Sequence, residues 1–172
     1  FPLGQELNRE MMRKFRLYML VGGLPQAVKA YVETNNFKFV DELKRDIIDL
    51  YEQDFYKIDP TGRISMLFDA IPSELGRNSS RYQVSSVLKN KRASIISEEI
   101  SELVASKTVL ISYHSNDPSV GMATNLSMER FRLFLADTGL MVTLMFKDKD
   151  FTENVIYQKL LSEKLSKNLG VL

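Results

Sequence analysis

Gly22-Gly23-Leu24-Pro25 separates two apolar runs that both repeat at helical spacing, and no other feature constrains the fold as strongly. Leu7, Met11, Met12, Phe15, Tyr18 and Met19 precede it on one helical face, with Asn8 as the expected N-cap. Glycine ends helices and proline suits a helix only in its first turn, so these four residues predict an exit followed at once by a new start. Ala27, Val28, Tyr31 and Val32 are the expected buried face of the second helix, which Thr34-Asn35-Asn36 closes. Val40, Leu43, Ile47, Leu50, Tyr51 and Phe55 then keep the helical period until Asp59-Pro60-Thr61-Gly62, a turn taken as a domain boundary.

Beyond that turn the pattern shortens. Ile64, Leu67, Phe68 and Ile71 predict a helix ending near Pro72 and Gly76, Val84 to Leu88 predict a second, and Ile95 to Val104 a third. Val109 to Tyr113 is rich in β-formers and Phe131 to Leu135 reads as its partner strand, with a loop signal at Asn116-Asp117-Pro118-Ser119 between them. A helix follows Asp137, which can cap it, and a last one spans about 152–168, ended by Gly170. The expected fold class is mainly α: a helical bundle over residues 1–59, a winged-helix domain with a small β-hairpin wing over 60–146, and a linker helix over 147–172.

Composition narrows the chemistry. The absence of cysteine excludes zinc ribbons, iron–sulfur ligation and thiol catalysis, and fits a reducing, cytoplasmic setting. The longest apolar stretch, Gly139 to Phe146, is far below the roughly 20 residues of a membrane span, so no membrane partner is expected. No glycine is followed by lysine, which excludes a phosphate-binding P-loop from this chain. Glu42, Asp46 and Asp49 line one side of the third helix beside Lys44 and Arg45, as the solvated face of an amphipathic helix does, and no metal site is expected there. His114, the single histidine, has no catalytic partner in the sequence and reads as a surface residue of the wing.

With 23 basic and 22 acidic residues, contact with nucleic acid must be local. The candidate patch is the stretch Arg77 to Arg92, carrying Arg77, Arg81, Lys89, Lys91 and Arg92 without an acidic residue. The helix that would enter a DNA groove holds Glu98, Glu99 and Glu102, which a phosphate backbone repels, so a protein contact or a second copy is the better expected partner. The chain starts at Phe1 and reads as a piece of a longer protein.

Four motifs in order carry a resemblance. Phe15 to Val28, with Gly22-Gly23-Leu24-Pro25 at its centre, is similar to the GGxP signature of a family of prokaryotic AAA-type P-loop ATPases. Leu50-Tyr51 with Asp54 and Lys57, Ile71-Pro72-Ser73-Glu74-Leu75, and Phe131 to Leu140 with Asp137-Thr138-Gly139-Leu140 resemble further motifs of that family, Arg132 standing where lysine is usual. The resemblance implies a P-loop core before this region and a nuclease-like domain after it as partners. It also implies a helical lid up to about Asp59, a winged helix beyond it, and ATP with Mg²⁺ as cofactors of the intact protein. Gly23 and Pro25 would face the nucleotide, and the lid and winged helix would couple nucleotide state to a partner. Catalysis by these 172 residues alone is not expected, since the phosphate-holding groups are absent.

Overall fold

The structure, a computed structural model, describes residues 4–77, 79–89, 95–116, 126–149 and 157. It is mainly helical with one small antiparallel hairpin. Two compact units form: residues up to Asp49 together with Asp137 onward, and Leu50 to Ala136. The expected boundaries at Asp59-Pro60 and after Phe146 therefore move. One falls inside a continuous helix and the other before Asp137, because the helix that follows Asp137 packs back on the first helix of the chain.

In the first unit, α1 (Gln5–Val21) ends at Gly22, whose amide bonds the Tyr18 carbonyl at 2.8 Å. Its N-cap is Gly4, so Asn8 lies inside the helix rather than at its start. The buried residues of α1 are Leu20 and Val21 in its last turn, whereas Leu7, Met11, Met12, Phe15 and Tyr18 are exposed. α2 (Pro25–Thr34) begins with Pro25 in its first turn and ends on Asn35 in the left-handed conformation. It buries Ala27 and Ala30, while Val28 and Val32 of the expected face are exposed: the small residues let α2 sit close to Val21 and Val40. α3 (Phe37–Ile58) contributes Val40, Asp41, Lys44 and Ile48 to this unit. α8 (Thr138–Met145) is buried from Gly139 to Leu144, and Leu20, Val142 and Tyr157 form a core cluster joined by Phe37 and Phe146.

The second unit takes the last two turns of α3, where Tyr51 and Phe55 pack against Phe68, while Leu50 is exposed. The Asp59 turn ends α3 and starts α4 (Arg63–Asp69), with the Asp59 carboxylate accepting from the Arg63 amide at 2.7 Å and the Ile64 amide at 3.2 Å. Burial opposes the charge on Asp59, but hydrogen bonds from the Thr61 hydroxyl and the Ile64, Thr61 and Arg63 amides outweigh it and hold the carboxyl below its ordinary value. Pro72 does not close α4. It stands in the first turn of a separate helix, α5 (Ile71–Gly76), where its missing amide costs nothing. α6 (Val84–Val87) and α7 (Ser97–Ala105) follow, then β1 (Val109–Ser115) and β2 (Leu126–Leu135). Val109 lies opposite Leu135 and Tyr113 opposite Phe131; the register breaks after Tyr113, so His114 lies opposite Ser127, exposed on the strand. Leu67, Phe68, Ile71, Ile96, Leu103 and Leu133 fill the core. The helix expected over 152–168 and its Gly170 stop lie outside the described residues, Tyr157 apart.

In the first unit a Cβ on Gly139 would collide with the Val21 carbonyl oxygen. Gly139→Ala is expected to destabilise the protein by about 2–3 kcal/mol, since backbone on both sides must shift. Gly76→Ala, which would meet nothing within 4 Å, is expected to be neutral within about 0.5 kcal/mol. Urea unfolding of the two variants checks both values.

Candidate functional site

The glycine-rich corner between α1 and α2 and the segment Asp137-Thr138-Gly139 lie together. Asp137 accepts from the Gly23 amide at 2.7 Å through Oδ2 and from the Leu140 amide at 2.9 Å through Oδ1. One carboxylate thus caps α8 and clasps a turn 114 residues away in sequence. The glycines make the clasp possible. Gly22 has φ +87°, which L side chains rarely adopt, and a Cβ there would run into the Asp137 carboxylate. Gly23 and Pro25 are both exposed at the head of α2.

Beneath the corner lies a buried polar cluster. Lys44 Nζ donates to the Leu20 carbonyl at 3.0 Å, the Gly139 carbonyl at 3.1 Å and the Tyr157 hydroxyl at 3.3 Å. The Tyr157 hydroxyl in turn donates to Asp41 Oδ1 at 2.9 Å, and Thr143 Oγ1 donates to the same oxygen at 3.0 Å. Asp41 Oδ2 takes the Arg45 Nε at 2.9 Å, and the other arms of that guanidinium reach the carbonyls of Phe146 and Lys149 at 3.0 Å and 2.7 Å. Two adjacent cations on α3 therefore meet carbonyls at the end of α1 and just beyond α8, where the helix dipole favours positive charge. Burial lowers the Lys44 ammonium to about 8, against the opposing pull of Asp41 and Asp137 and with a smaller push from Arg45.

The other motif residues are also brought into structural bonds. Glu74 of Ile71-Pro72-Ser73-Glu74-Leu75 is buried and accepts from the Gln83 amide at 2.9 Å, the Ser86 hydroxyl at 2.7 Å and Arg77 at 2.9 Å. Asp54 and Lys57 pair at 2.7 Å on the surface. Tyr82 donates to the Leu67 carbonyl at 2.8 Å and stacks on Phe131; burial, then the nearby charges of Glu74 and Asp69, raise its phenol far above the ordinary range.

Of the candidate nucleic-acid residues, Arg81 and Lys89 are exposed, and Lys91 and Arg92 lie outside the described residues. Arg77 is committed to Glu74, and Arg132 holds the Ser79 carbonyl at 2.6 Å. On α7, Glu98 and Glu102 are exposed while Glu99 pairs with Arg63 at 2.9 Å. Glu42, Asp46 and Asp49 are each exposed, and among the described residues no group of three or more His, Cys, Asp or Glu side chains could hold a metal ion. No helix among them is long and apolar enough to cross a membrane.

The corner had a partial signal in the sequence, its Gly, Gly and Pro. The buried cluster had none, because Lys44 reads there as part of a solvated face. Residues 12–150 match the model of a family described as a domain of unknown function, DUF8612, and the chain belongs to that family. No curated protein and no solved structure matches it.

The Lys44 shift has a definite pH signature. The folded value of about 8 lies below the ordinary 10.5 of the unfolded chain, so between them the unfolded state binds more protons and stability rises with pH. Lys44→Met removes that titration and takes away the buried donor of the Leu20 and Gly139 carbonyls, with an expected loss of about 1–3 kcal/mol near neutrality. Chemical unfolding at a series of pH values should show the gap between parent and variant widening from about pH 8 to about pH 10.5 and constant below it.

Proposed function

We propose that this chain is the helical lid and winged helix of an AAA-type P-loop ATPase, coupling nucleotide state to a partner. The observation that carries the reading is the clasp between Asp137 and Gly23. Two motifs that carry the resemblance, Gly22-Gly23-Leu24-Pro25 and Asp137-Thr138-Gly139-Leu140, are bonded to each other in one corner. A corner fixed in this way holds Gly23 and Pro25 at the head of α2, both accessible to a ligand.

The Gly23 amide is already committed to Asp137, so the adenine would meet the exposed glycine backbone and the proline ring rather than that N–H. The Lys44 ammonium beneath the corner is committed to the Leu20 and Gly139 carbonyls, so the cations for the phosphates would come from a P-loop core. A lid with contacts to the nucleotide in only one state transmits that difference to whatever the second unit touches.

The test uses the product of the complete gene. Gly23→Ala places a Cβ 3.6 Å from the Tyr18 hydroxyl, an ordinary contact, so this variant keeps the fold and reports on the ligand. ATP binding by Gly23→Ala and by Pro25→Ala is expected to weaken about tenfold each, equivalent to about 1.4 kcal/mol. Parent-like affinity in both variants, or no ATP binding by the parent, would overturn the proposal.

A further inference from the structure

Gly23 is a glycine that the fold does not require. Its φ is not positive, unlike that of Gly22, and a Cβ there would meet only ordinary contacts, 3.6 Å from the Tyr18 hydroxyl and 3.8 Å from Asp137 Oδ2. What a side chain would fill is the exposed space beside those two oxygens. Each oxygen has bonding capacity left. The hydroxyl of Tyr18, a residue 55% exposed, has no hydrogen-bond partner among the described residues. Among the same residues, Oδ2 of the partly exposed Asp137 accepts one bond, from the Gly23 amide, and a carboxylate oxygen takes two donors.

We propose that this opening reads the edge of the nucleotide base: Asp137 Oδ2 accepts from the 6-amino group of adenine, and the Tyr18 hydroxyl donates to the adjacent ring nitrogen. This role for Tyr18 and Asp137 rests on the corner being a nucleotide site, as proposed, and extends it to the choice of base. An acceptor beside a donor complements adenine, whose amino N–H lies next to a ring-nitrogen acceptor. Guanine carries a carbonyl oxygen in place of that amino group, so the same approach sets oxygen against carboxylate. Offering its two N–H donors instead would call for both carboxylate oxygens, and Oδ1 lies against Gly22 and holds the Leu140 amide. The missing side chain at Gly23 is what lets a base edge reach both groups.

Nucleotide binding by the product of the complete gene is the test. ATP is expected to bind about tenfold more tightly than GTP and than purine riboside triphosphate, which lacks the 6-amino group. Tyr18→Phe removes a hydroxyl that holds nothing in the described fold, so its urea midpoint should match the parent's while its ATP affinity falls about fivefold. In Asp137→Asn the side-chain oxygen can still cap α8, and ATP should lose its advantage over purine riboside triphosphate. Equal parent affinity for GTP and ATP, unchanged ATP affinity in Tyr18→Phe, or an ATP preference that survives in Asp137→Asn would each overturn the proposal, with the lid role still decided by Gly23→Ala and Pro25→Ala. A parent that binds no nucleotide would overturn both.

Discussion

The first unit depends on one carboxylate having two tasks. Asp137 caps α8 through the Leu140 amide and holds the Gly23 amide with its other oxygen, so the start of α8 and the corner after α1 cannot be moved apart without stranding donors. The surrounding residues follow from that bond. Gly22 leaves room for the carboxylate, Gly139 lets the α8 backbone approach Val21, and Pro25 starts α2 where no amide is needed. The buried ammonium of Lys44 then ties the end of α1 and the first turn of α8 to α3 from below.

This arrangement explains why elements far apart in the chain form one unit while the hairpin, adjacent to α8 in sequence, belongs to the other. The second unit has its own counterpart to the Asp137 clasp in Glu74. Its buried carboxylate gathers Gln83, Ser86 and Arg77, fixing the path from α5 to α6. In both units a single acid gathers donors from separate segments: two backbone amides in the first, and an amide, a hydroxyl and a guanidinium in the second. For the proposed nucleotide switch this means a lid corner that moves as a piece.

Much of the fold was legible because helical periodicity and Gly/Pro punctuation act locally. The Gly22-Gly23-Leu24-Pro25 corner, the Asp137 cap and the core of both hairpin strands were read from short windows. What was not legible required knowing which distant element arrives. Lys44 looks solvated until Tyr157 and the carbonyls of Leu20 and Gly139 enclose it, and Glu74 is buried by bonds to Gln83 and Ser86, which its own window does not contain. The boundary was misplaced for the same reason: Asp59-Pro60 does end a helix, but the packing of Tyr51 and Phe55 on Phe68 assigns that helix end to the second unit. Period alone also could not say that the apolar face of α1 would remain uncovered.

The most direct test of the Asp137 clasp is amide hydrogen exchange, read residue by residue in the parent and in Asp137→Ala. Gly23 is exposed, so its amide is protected only if the carboxylate holds it. The expected result is slow exchange at both Gly23 and Leu140 in the parent and a joint loss of protection in the variant. A Gly23 amide exchanging at the unprotected rate in the parent, with Leu140 still protected, would contradict the account: Asp137 would then be a helix cap and nothing more.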